Sequence, residues 1–364
     1  MTTARQTLPG PSYHSEQTYE LDRERVFFRN WVYVGRAERV PRPGSWLRVE
    51  VGGESLLVVR GKDERIRGFY NVCRHRGSRI CDEPEGFART HLRCPYHAWG
   101  YALDGTLVTT PMIDKAEIDR EATSLWPIHV EVWEGFVFVN LSREEPRPLA
   151  EHLADQQDEP LALARYGLGD LRIGHVTTHD VAANWKIVIE NYNECLHCPT
   201  IHPELVAVVP AYRKGQVFED GRADGGVSLA DGRTAIVDDA RLRLPLLPGA
   251  RDGDAQSYFG ALVYPSMFLD VDGSSCLATA VFPTGPQSCR LVTEYLFSPE
   301  ALEDPAFDPS PVVEFNERVT AQDNQACERV QRGVTSRAFE HGVFPAEDAW
   351  VFEFDERYRR DVEA

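Results

Sequence analysis

The sequence feature that most restricts the fold is a pair of short segments, Cys73-x-His75 and Cys94-x2-His97, with eighteen residues between them. Each segment supplies one thiolate and one imidazole, so two loops that meet would offer four ligands to a metal centre. Zinc sites of this composition usually keep the cysteines together and the histidines together, whereas here each segment carries one of each. The pattern therefore favours a Rieske [2Fe–2S] cluster, with two Cys on one iron and two His on the other, over a structural zinc site.

The residues around these ligands suit two tight loops. Gly77 and Gly100 permit tight turns, and Tyr96 and Trp99 are placed to shield a cluster from water. Cys81 lies between the two segments, and because four ligands are already present we expect it to be a packed free thiol.

The length and periodicity of the chain predict an α+β protein of two domains, because 364 residues exceed the size at which one core keeps growing. Short β-rich runs broken by Pro-Gly and Gly-Gly indicate a small antiparallel β-domain, which we place at 40–145. Residues 1–39 and 146–364 form the larger domain. It is predicted to contain helices near 19–30, 148–165, 184–198, 311–333 and 346–360, a long loop or lid over 213–256, and strands over 257–297.

A second candidate metal site begins with a His-x4-His pair, His197 and His202. Residues five apart on a continuous helix point about 140° away from each other, so both can reach one metal only if the helix breaks between them. Pro199 provides that break, which places His197 in the last turn of the helix over 184–198 and His202 on the following loop.

The polar side of this predicted helix is compatible with a catalytic site, although it is equally typical of a solvated surface. It comprises Glu190, Asn191, Glu194 and His197. The adjacent His202 favours the site.

The third ligand is expected to be a carboxylate, because two His and one Asp or Glu on one face of Fe(II) leave positions open for O2 and substrate. The helix over 311–333 offers Glu314, Glu317, Asp323 and Glu328. When Val319, Ala326 and Val330 are placed at the centre of the buried stripe, Asp323 falls among them and the three glutamates point away. A carboxylate on an apolar face costs several kcal/mol unless it is paired or bound to metal. Asp323 is therefore the predicted third ligand, the alternative being a buried hydrogen-bond acceptor.

The charge balance limits the partners of the chain. It has 57 acidic and 39 basic residues and a net charge of −18, which disfavours nucleic acid and anionic membranes. An acidic surface suits either plain solvation or the docking of a basic electron-donor protein. No GxGxxG turn follows a strand, so electrons from NAD(P)H are expected to come through a separate reductase.

The N-terminus and the cysteines indicate a cytoplasmic protein. No basic stretch leads into an apolar run, and no window of about 18 apolar residues occurs. The eight cysteines are spread along the chain, which favours free thiols or metal ligands over a disulfide framework.

The segments NVCRHRG, CPYHAWGY and ENYNECLHCPTIHP resemble those of the α-subunits of Rieske non-haem iron oxygenases, the aromatic-ring-hydroxylating oxygenase superfamily, and the resemblance covers essentially the full length. It implies a small β Rieske domain and a catalytic domain of helix-grip type, in which a curved antiparallel sheet surrounds helices. It also implies two sets of ligands. The [2Fe–2S] cluster is bound by Cys73, His75, Cys94 and His97, and a mononuclear Fe(II) is bound by His197, His202 and Asp323.

The resemblance further implies an assembly and a path for electrons. Glu194 matches the carboxylate that bridges the cluster of one subunit to the iron of its neighbour, and many members have Asp there. A homotrimer with head-to-tail contacts follows, together with an NAD(P)H-dependent reductase and, in some systems, a ferredoxin. Glu194 and Asn191 are the candidate catalytic residues.

The most detailed inference from the sequence concerns the class of substrate. The opening LPGPSYHS and the tail CERVQRGVTSRAFEHGVFPAEDAW look most like the branch of choline, carnitine, glycine-betaine and proline-betaine oxygenases. Such enzymes hydroxylate or demethylate beside a quaternary nitrogen, using O2. Aromatic residues that could hold the cation by cation–π contact, or simply pack, are Tyr258, Phe259, Tyr264 and Phe268. The alternative is hydroxylation of an aromatic acid, with Arg213 or Lys214 binding the carboxylate.

Overall fold

A computed structural model describes residues 5–114, 117–156, 159–217, 226–251 and 253–363. The chain divides into two compact units, one of Phe27–Leu149 and a larger one formed by the residues before and after it. The strands are β1 Arg5–Gln6, β2 Val32–Arg36, β3 Ser45–Val51, β4 Glu54–Arg60, β5 Ile66–Tyr70, β6 Glu85–Phe87, β7 His91–Arg93, β8 Gly100–Ala102, β9 Leu107–Thr109, β10 Pro127–Trp133, β11 Phe136–Asn140, β12 Arg172–Val181, β13 Val227–Ser228, β14 Ser257–Val263, β15 Met267–Asp272, β16 Cys276–Gly285, β17 Ser288–Phe297 and β18 Val343–Phe344. The α-helices are α1 Glu16–Leu21, α2 Leu149–Ala154, α3 Trp185–Tyr192, α4 Cys198–Ile201, α5 Pro203–Val208, α6 Pro299–Glu303, α7 Ser310–Val334 and α8 Ala349–Glu363.

The small unit is an antiparallel β structure. Its main sheet has the strand order β2-β11-β10-β5-β4-β3-β6, and β7, β8 and β9 form a second, three-stranded sheet. Strands β4 and β11 are short runs of apolar residues that are buried almost throughout, as expected for central strands. One core cluster joins Trp46, Leu57, Phe69, Tyr101 and Leu107 to the two cysteines of the first candidate site.

The boundaries of the small unit differ from the predicted 40–145. It begins at Phe27, because β2 pairs with β11 through Val32 and Val139 and so belongs to this sheet. It ends at Leu149, close to the predicted end.

The large unit is built on an antiparallel sheet of the order β12-β17-β16-β15-β14-β13. Strands β15 and β16 are buried along most of their length, so both faces of the sheet are covered there. Their sequences therefore do not alternate regularly between apolar and polar residues. Helices α3 and α7 pack against each other and against this sheet. No helix in the described residues is both long and apolar enough to cross a membrane.

A buried ion pair fixes the start of α3. Lys186 and Asp22 are completely buried and in contact, and Asp22 also accepts hydrogen bonds from Trp185 Nε1 at 2.8 Å and from Tyr358 OH at 2.7 Å. Asp22 lies in a π-helical turn after α1 and Tyr358 lies in α8, so one carboxylate joins three helical segments.

The helix predictions are confirmed for α7 and α8, and wrong in part elsewhere. The helix over 148–165 is only α2 followed by a 3-10 turn, Pro160–Tyr166. Helix α3 ends at Tyr192, so the predicted helix over 184–198 is six residues too long. The loop over 213–256 is irregular apart from the end of a 3-10 turn, Pro210–Lys214, strand β13 and a second 3-10 turn, Asp254–Gln256, although its residues 218–225 and 252 lie outside the described residues.

Candidate metal centres and the adjoining cavity

The first Cys-His loop follows strand β5. Cys73 N donates to Ser78 O at 2.8 Å and Gly77 N donates to Cys73 O at 3.0 Å, which closes a short turn. Gly77 has a φ of +72°, a conformation that glycine adopts without strain. The predicted turn at Gly77 is confirmed.

The second Cys-His loop connects β7 to β8. Cys94 N donates to Trp99 O at 2.8 Å, and Ala98 N donates to Cys94 O at 3.2 Å. Gly100 is not the turn residue that the sequence predicts, because it lies in β8. A Cβ at that position would be 2.4 Å from Thr109 Oγ1, so glycine is required there for close strand packing.

The four predicted cluster residues come together at the tips of these loops. Cys73 and Cys94 are buried in the same core cluster, and the rings of His75 and His97 have centroids 4.6 Å apart. Cys73 Sγ also lies 3.3 Å from Tyr101 OH. Two thiols and two imidazoles therefore face one small volume, the donor set that a Rieske cluster requires.

One imidazole atom gives a direct test of fit. His75 Nδ1 is buried and has no hydrogen-bond partner among the described residues, whereas buried polar atoms are nearly always paired. Burial, then His97 and Arg76, lower the pKa of His75, which favours the neutral imidazole that binds metal. These residues fit a cluster bound at this position.

The aromatic neighbours shield the loops unequally. Trp99 is buried and stacks on His75 with centroids 4.7 Å apart, whereas Tyr96 is 59% exposed and tilts against His97. Cys81 is a free, partly buried thiol packed against the same core, and burial, followed by the nearby Asp82, raises its pKa to about 12. The prediction that Cys81 is a packed free thiol is confirmed.

The second candidate centre brings together His197, His202 and Asp323, whose possible ligand atoms all lie within 4.8 Å of one another. His202 Nε2 is 2.8 Å from Asp323 Oδ1, and His197 Nε2 is 3.4 Å from the same oxygen. The break between the histidines differs from the predicted one. The chain leaves the helix at Tyr192, and His197 and His202 flank the short α4, which turns both rings toward α7.

Both imidazoles are oriented through their other nitrogen. Glu194 Oε1 lies 2.5 Å from His197 Nδ1, and Gln322 Oε1 lies 2.6 Å from His202 Nδ1. The Gln322 amide is itself fixed, because its Nε2 donates to Glu204 Oε1 at 2.6 Å. Each Nδ1 therefore donates to its partner oxygen, which orients each ring so that its Nε2 points toward Asp323, as in histidine metal sites.

The electrostatics of this centre favour a cation. Burial opposes a charge on His197, but hydrogen bonds to Asp323 and Glu194 outweigh it and raise the pKa of His197 to about 9. Burial likewise raises the pKa of Asp323, yet its bonds to the two histidines bring it below its usual value. The anionic surroundings that hold a proton on the imidazoles would equally hold a divalent metal ion.

Asp323 belongs to the buried stripe of α7, as predicted. At the C-terminal end of the helix, however, the centre of this stripe lies one residue away from Val330, where the sequence predicts it. Val330 is 48% exposed, and the line of covered residues runs instead through Val312, Phe315, Cys327, Gln331 and Val334. Asp323 lies four residues before Cys327 and so belongs to this line. Glu317, which the sequence predicts to point away, accepts a hydrogen bond from His179 Nε2 at 2.9 Å and is half-buried.

The polar side predicted for the 184–198 segment is also wrong in part. Glu190 is not solvated, because its carboxylate accepts a hydrogen bond from Tyr13 OH at 2.8 Å. Leu196, an apolar residue of the same segment, is 42% exposed. Asn191 and Glu194 line the cavity beside the three candidate ligands.

This cavity has a volume of about 220 Å³ and lies within the large unit. Of the four aromatic residues predicted to line it, Tyr258 and Phe268 do so. Phe259 packs instead against Tyr166 with centroids 5.8 Å apart, and Tyr264 OH donates to Asp361 at 2.9 Å, away from the cavity. The sequence did not reveal the remaining aromatic and acidic lining residues: Tyr192, Tyr212, Phe315, Trp350, Asp270 and Asp272. Tyr192 is in the ENYNECLHC segment itself and could have been found there.

The turn between α3 and α4 carries a disulfide, Cys195–Cys198, with the Cα atoms 5.0 Å apart. The expectation of free thiols or metal ligands is therefore wrong for this pair. The turn that places His197 beside Asp323 also brings the two cysteines together. The other six cysteines do not form disulfides.

Comparison with known families agrees with both halves of this architecture. The Rieske [2Fe-2S] domain family matches residues 30–129, and the family of the ring-hydroxylating α-subunit catalytic domain matches residues 168–364. The chain belongs to the Rieske ring-hydroxylating oxygenase α-subunits. It is thus an oxygenase with a Rieske [2Fe–2S] domain and a catalytic domain of the non-haem iron type.

Individual relatives of this oxygenase cover nearly the whole chain. The glycine betaine monooxygenase oxygenase subunit of Chromohalobacter salexigens is 30% identical over 93% of this chain and 81% of its own length. The carnitine monooxygenase oxygenase subunit of Acinetobacter pittii is 29% identical, covering 92% and 86%. The crystal structure of the quaternary ammonium Rieske monooxygenase CntA with an inhibitor superposes with a TM-score of 0.81 at 25% identity, covering 98% of this chain and 96% of that one. The predicted α+β fold with its curved antiparallel sheet is confirmed.

Proposed function

We propose that this oxygenase inserts one oxygen atom from O2 beside the nitrogen of a quaternary ammonium compound, as N-demethylation or hydroxylation. The observation that carries the proposal is the cavity next to His197, His202 and Asp323. Its wall combines aromatic rings with the carboxylate of Asp270, and the described part of its lining contains no lysine or arginine. Aromatic faces and a carboxylate attract an organic cation.

The relatives support this substrate class. Several bear the names of glycine betaine, carnitine or choline monooxygenases, the last a chloroplastic enzyme of Spinacia oleracea that is 26% identical over 94% of this chain. All three names refer to compounds that carry a quaternary nitrogen.

The residues of this chain divide the work between the two centres. We propose that Cys73, His75, Cys94 and His97 hold the cluster. When bound, the cluster supplies single electrons and the ferrous iron activates O2. The iron ligands would be His197, His202 and Asp323.

The residues behind these ligands, and Asn191 on the cavity wall, position the reaction. Glu194 and Gln322 keep the Nδ1 protons in place, so that both Nε2 atoms face the iron position. The side chain of Asn191 lies on the cavity wall, where an amide can orient a bound polar group.

We further propose that the active assembly is a homotrimer in which Glu194 links His197 to His97 of the partner subunit. Support comes from the position of Glu194, which already holds the His197 ring at 2.5 Å and lines the cavity. A related quaternary ammonium Rieske monooxygenase, 25% identical with a TM-score of 0.79, is described as showing inter-subunit electron transfer. The electron donor would be an NAD(P)H-dependent reductase, directly or through a ferredoxin. The cytoplasmic location stays a prediction.

Hydroxylation of an aromatic acid is less well supported. Arg213 and Lys214, the residues that would bind the acid, are exposed in the 3-10 turn Pro210–Lys214 and are absent from the cavity lining. An aromatic carboxylate would instead meet the carboxylates of Asp270 and Asp272.

The test is a turnover assay of the reconstituted oxygenase with a Rieske-type reductase, NADH and ¹⁸O2. Choline, glycine betaine, carnitine and benzoate are supplied separately, and labelled products and formaldehyde are measured by mass spectrometry. We expect labelled product from a quaternary ammonium compound and none from benzoate. Coupled turnover of benzoate alone would contradict the proposal.

A further inference from the structure

The wall of the cavity that contains the candidate iron ligands also carries a carboxylate, Asp270 on β15. Its Oδ1 accepts two phenolic hydrogen bonds, from Tyr192 OH at 2.8 Å and from Tyr258 OH at 2.5 Å. Tyr192 comes from α3 and Tyr258 from β14, so two separate elements hold the carboxylate in place. No described residue hydrogen-bonds Oδ2. The carboxylate is thus oriented through one oxygen and leaves the other available to a ligand.

A glycine keeps space open beside this group. Gly260 is the direct cross-strand neighbour of Asp270. A Cβ at Gly260 would lie 3.0 Å from Tyr192 OH and 3.4 Å from Asp270 Oδ1. Any larger side chain would therefore displace the tyrosine–aspartate cluster or fill the space in front of it.

Aromatic rings surround the same position. Tyr192 stacks on Phe268 with centroids 3.8 Å apart, and Tyr212 meets Tyr258 edge-on at 6.4 Å. These rings and Trp350 all line the cavity. Rings and one carboxylate around an open volume form a site for a cation that cannot donate hydrogen bonds.

The acidic residues near the cavity have different roles. Asp272 also lines it, but Asp272 Oδ1 accepts from Ser274 N at 2.8 Å and Ser275 N at 2.7 Å, and Oδ2 accepts from Ile236 N at 3.3 Å. Asp272 therefore caps its own turn, and Asp323 faces the histidines. Asp270 is the carboxylate that remains for the substrate.

We propose that Asp270 is the counter-ion of the substrate nitrogen, and that the preferred substrate is an organic cation without a carboxylate, such as a choline-type amino alcohol, rather than a betaine. The inference rests on the proposed function and specifies its substrate class. A betaine would bring its own carboxylate into a cavity whose charged groups, in the described lining, are carboxylates and the histidines of the iron site. The hydroxyls of Ser275, Thr279 and Thr293, also on the wall, suit a neutral polar end instead.

Binding to the iron-loaded oxygenase tests this directly. Isothermal titration calorimetry compares choline with glycine betaine, which differs in carrying a carboxylate, and with 3,3-dimethylbutan-1-ol, which has the shape of choline and no charge. We expect choline to bind roughly tenfold or more tightly than either, because a desolvated cation beside a carboxylate and aromatic faces is strongly stabilised. Tighter binding of glycine betaine than of choline would overturn the inference.

A charge-removing variant identifies the residue responsible. Asp270→Asn keeps an acceptor oxygen for both tyrosines and removes the charge. It should lower the affinity for choline to near that of the neutral alcohol and leave the alcohol unchanged. Asp238→Asn removes an exposed carboxylate that pairs with Arg318, so it serves as the matched control and should bind all three ligands like the wild type.

The outcomes separate the two proposals. Equal weakening of all three ligands by Asp270→Asn, or of none, contradicts the role of Asp270. If that variant does not fold, Asp270→Glu and the wild-type ranking of the three ligands decide the question. Labelled product from glycine betaine together with weaker choline binding overturns this inference alone. Absence of product from every quaternary ammonium compound overturns the proposed function.

Discussion

The two candidate metal centres are built in opposite ways. The Cys-His centre takes its donors from two loops, Cys73 to His75 and Cys94 to His97, each closed by hydrogen bonds within a few residues. The His-His-Asp centre joins the turn around α4 to Asp323, which lies 121 residues after His202. Local backbone geometry creates the first centre. The packing of α7 within the large unit, against α3 and the six-stranded sheet, creates the second.

The two centres also differ in charge. The first has two buried thiols and the imidazole of His75, whose pKa is lowered by burial and whose Nδ1 has no hydrogen-bond partner among the described residues. In the second, carboxylates on two sides raise the pKa of His197 to about 9. Soft donors in a low-charge site suit a cluster, and a hard carboxylate with two imidazoles suits a single divalent ion. The difference shows how one chain can store electrons at one place and use them at another.

The largest expected effect separates the two centres completely. His197→Ala removes a proposed iron ligand, and product formation should fall about a thousandfold or more, because metal chemistry supplies several kcal/mol of stabilisation. The visible and EPR spectra of the cluster should persist, since its residues belong to the other unit. Iron analysis, spectra and ¹⁸O-labelled product are measured on the same preparation.

Cys94→Ser is the reciprocal control. It should abolish the cluster spectrum while iron binding at the second centre is retained. Normal turnover in His197→Ala would contradict the assignment of the second centre, and an unaltered cluster in Cys94→Ser would contradict the first.

The contrast in construction explains what the sequence could predict. Cys73, His75, Cys94 and His97 are recognisable from spacing alone, because local turns bring them together. His197 and His202 are recognisable as a pair, but the place where the helix ends is not. Tyr192 ends α3 six residues earlier than expected, with no proline or glycine at the break.

Asp323 was predictable because a carboxylate in an apolar stripe needs a partner. Asp270 was not, because its role depends on register across the sheet. Gly260 stands opposite it, and the two tyrosines that bind it lie 78 and 12 residues away in sequence. No periodicity in the sequence encodes that meeting.

The second expected effect concerns the buried ion pair that anchors α3, the helix that leads into the His-His-Asp centre. Asp22→Asn leaves the ammonium of Lys186 buried without its counter-ion, so the free energy of unfolding should fall by about 3–5 kcal/mol. Calorimetric unfolding measures the loss. The double variant Asp22→Asn, Lys186→Met should recover much of it, since no buried charge remains unpaired.

Loss of the exposed pair Arg318–Asp238 is the control and should change stability little. If Asp22→Asn were as stable as the wild type, the buried pair would not be the anchor of α3. The second centre would then depend on local structure, as the first does.

The third effect tests the link between the centres. Glu194→Gln keeps the size of the side chain and weakens its hold on His197 Nδ1, so coupled product formation should fall about 10- to 100-fold. Iron and cluster content should stay close to wild type. Rapid-mixing measurements of cluster reoxidation locate the defect, which should lie in electron transfer and not in substrate binding. Asp348→Asn is a neighbouring control, since Asp348 lies close enough to Glu194 to feel its charge. If Glu194→Gln lost iron but kept a normal rate of electron transfer, Glu194 would only support the iron site and would not link the two centres.

The smallest effect is a pH dependence that only the cavity of the second centre should show. Burial raises the pKa of Asp270 to about 6, despite the hydrogen bonds from Tyr258 and Tyr192 that oppose this shift. A raised pKa means that the carboxylate is ionised above about pH 6 and gains a proton below it, so the affinity for a cation is present at pH 7 and falls as the pH is lowered. The KM for choline should therefore rise, by at most tenfold per pH unit, as the pH falls below 6.

Among the described residues, the titratable groups that face Asp270 are the phenols of Tyr192, Tyr212 and Tyr258. Burial raises the pKa of both Tyr212 and Tyr258, so these two remain neutral throughout this range. Asp270→Asn should remove the dependence of the choline KM, and 3,3-dimethylbutan-1-ol should show none in either protein. Steady-state kinetics between pH 5 and 8, limited to the range in which the cluster spectrum is constant, make the comparison. A choline KM that rose equally in Asp270→Asn would assign the titration to the histidines of the iron centre. The charge that selects the substrate would then belong to the metal site and not to Asp270.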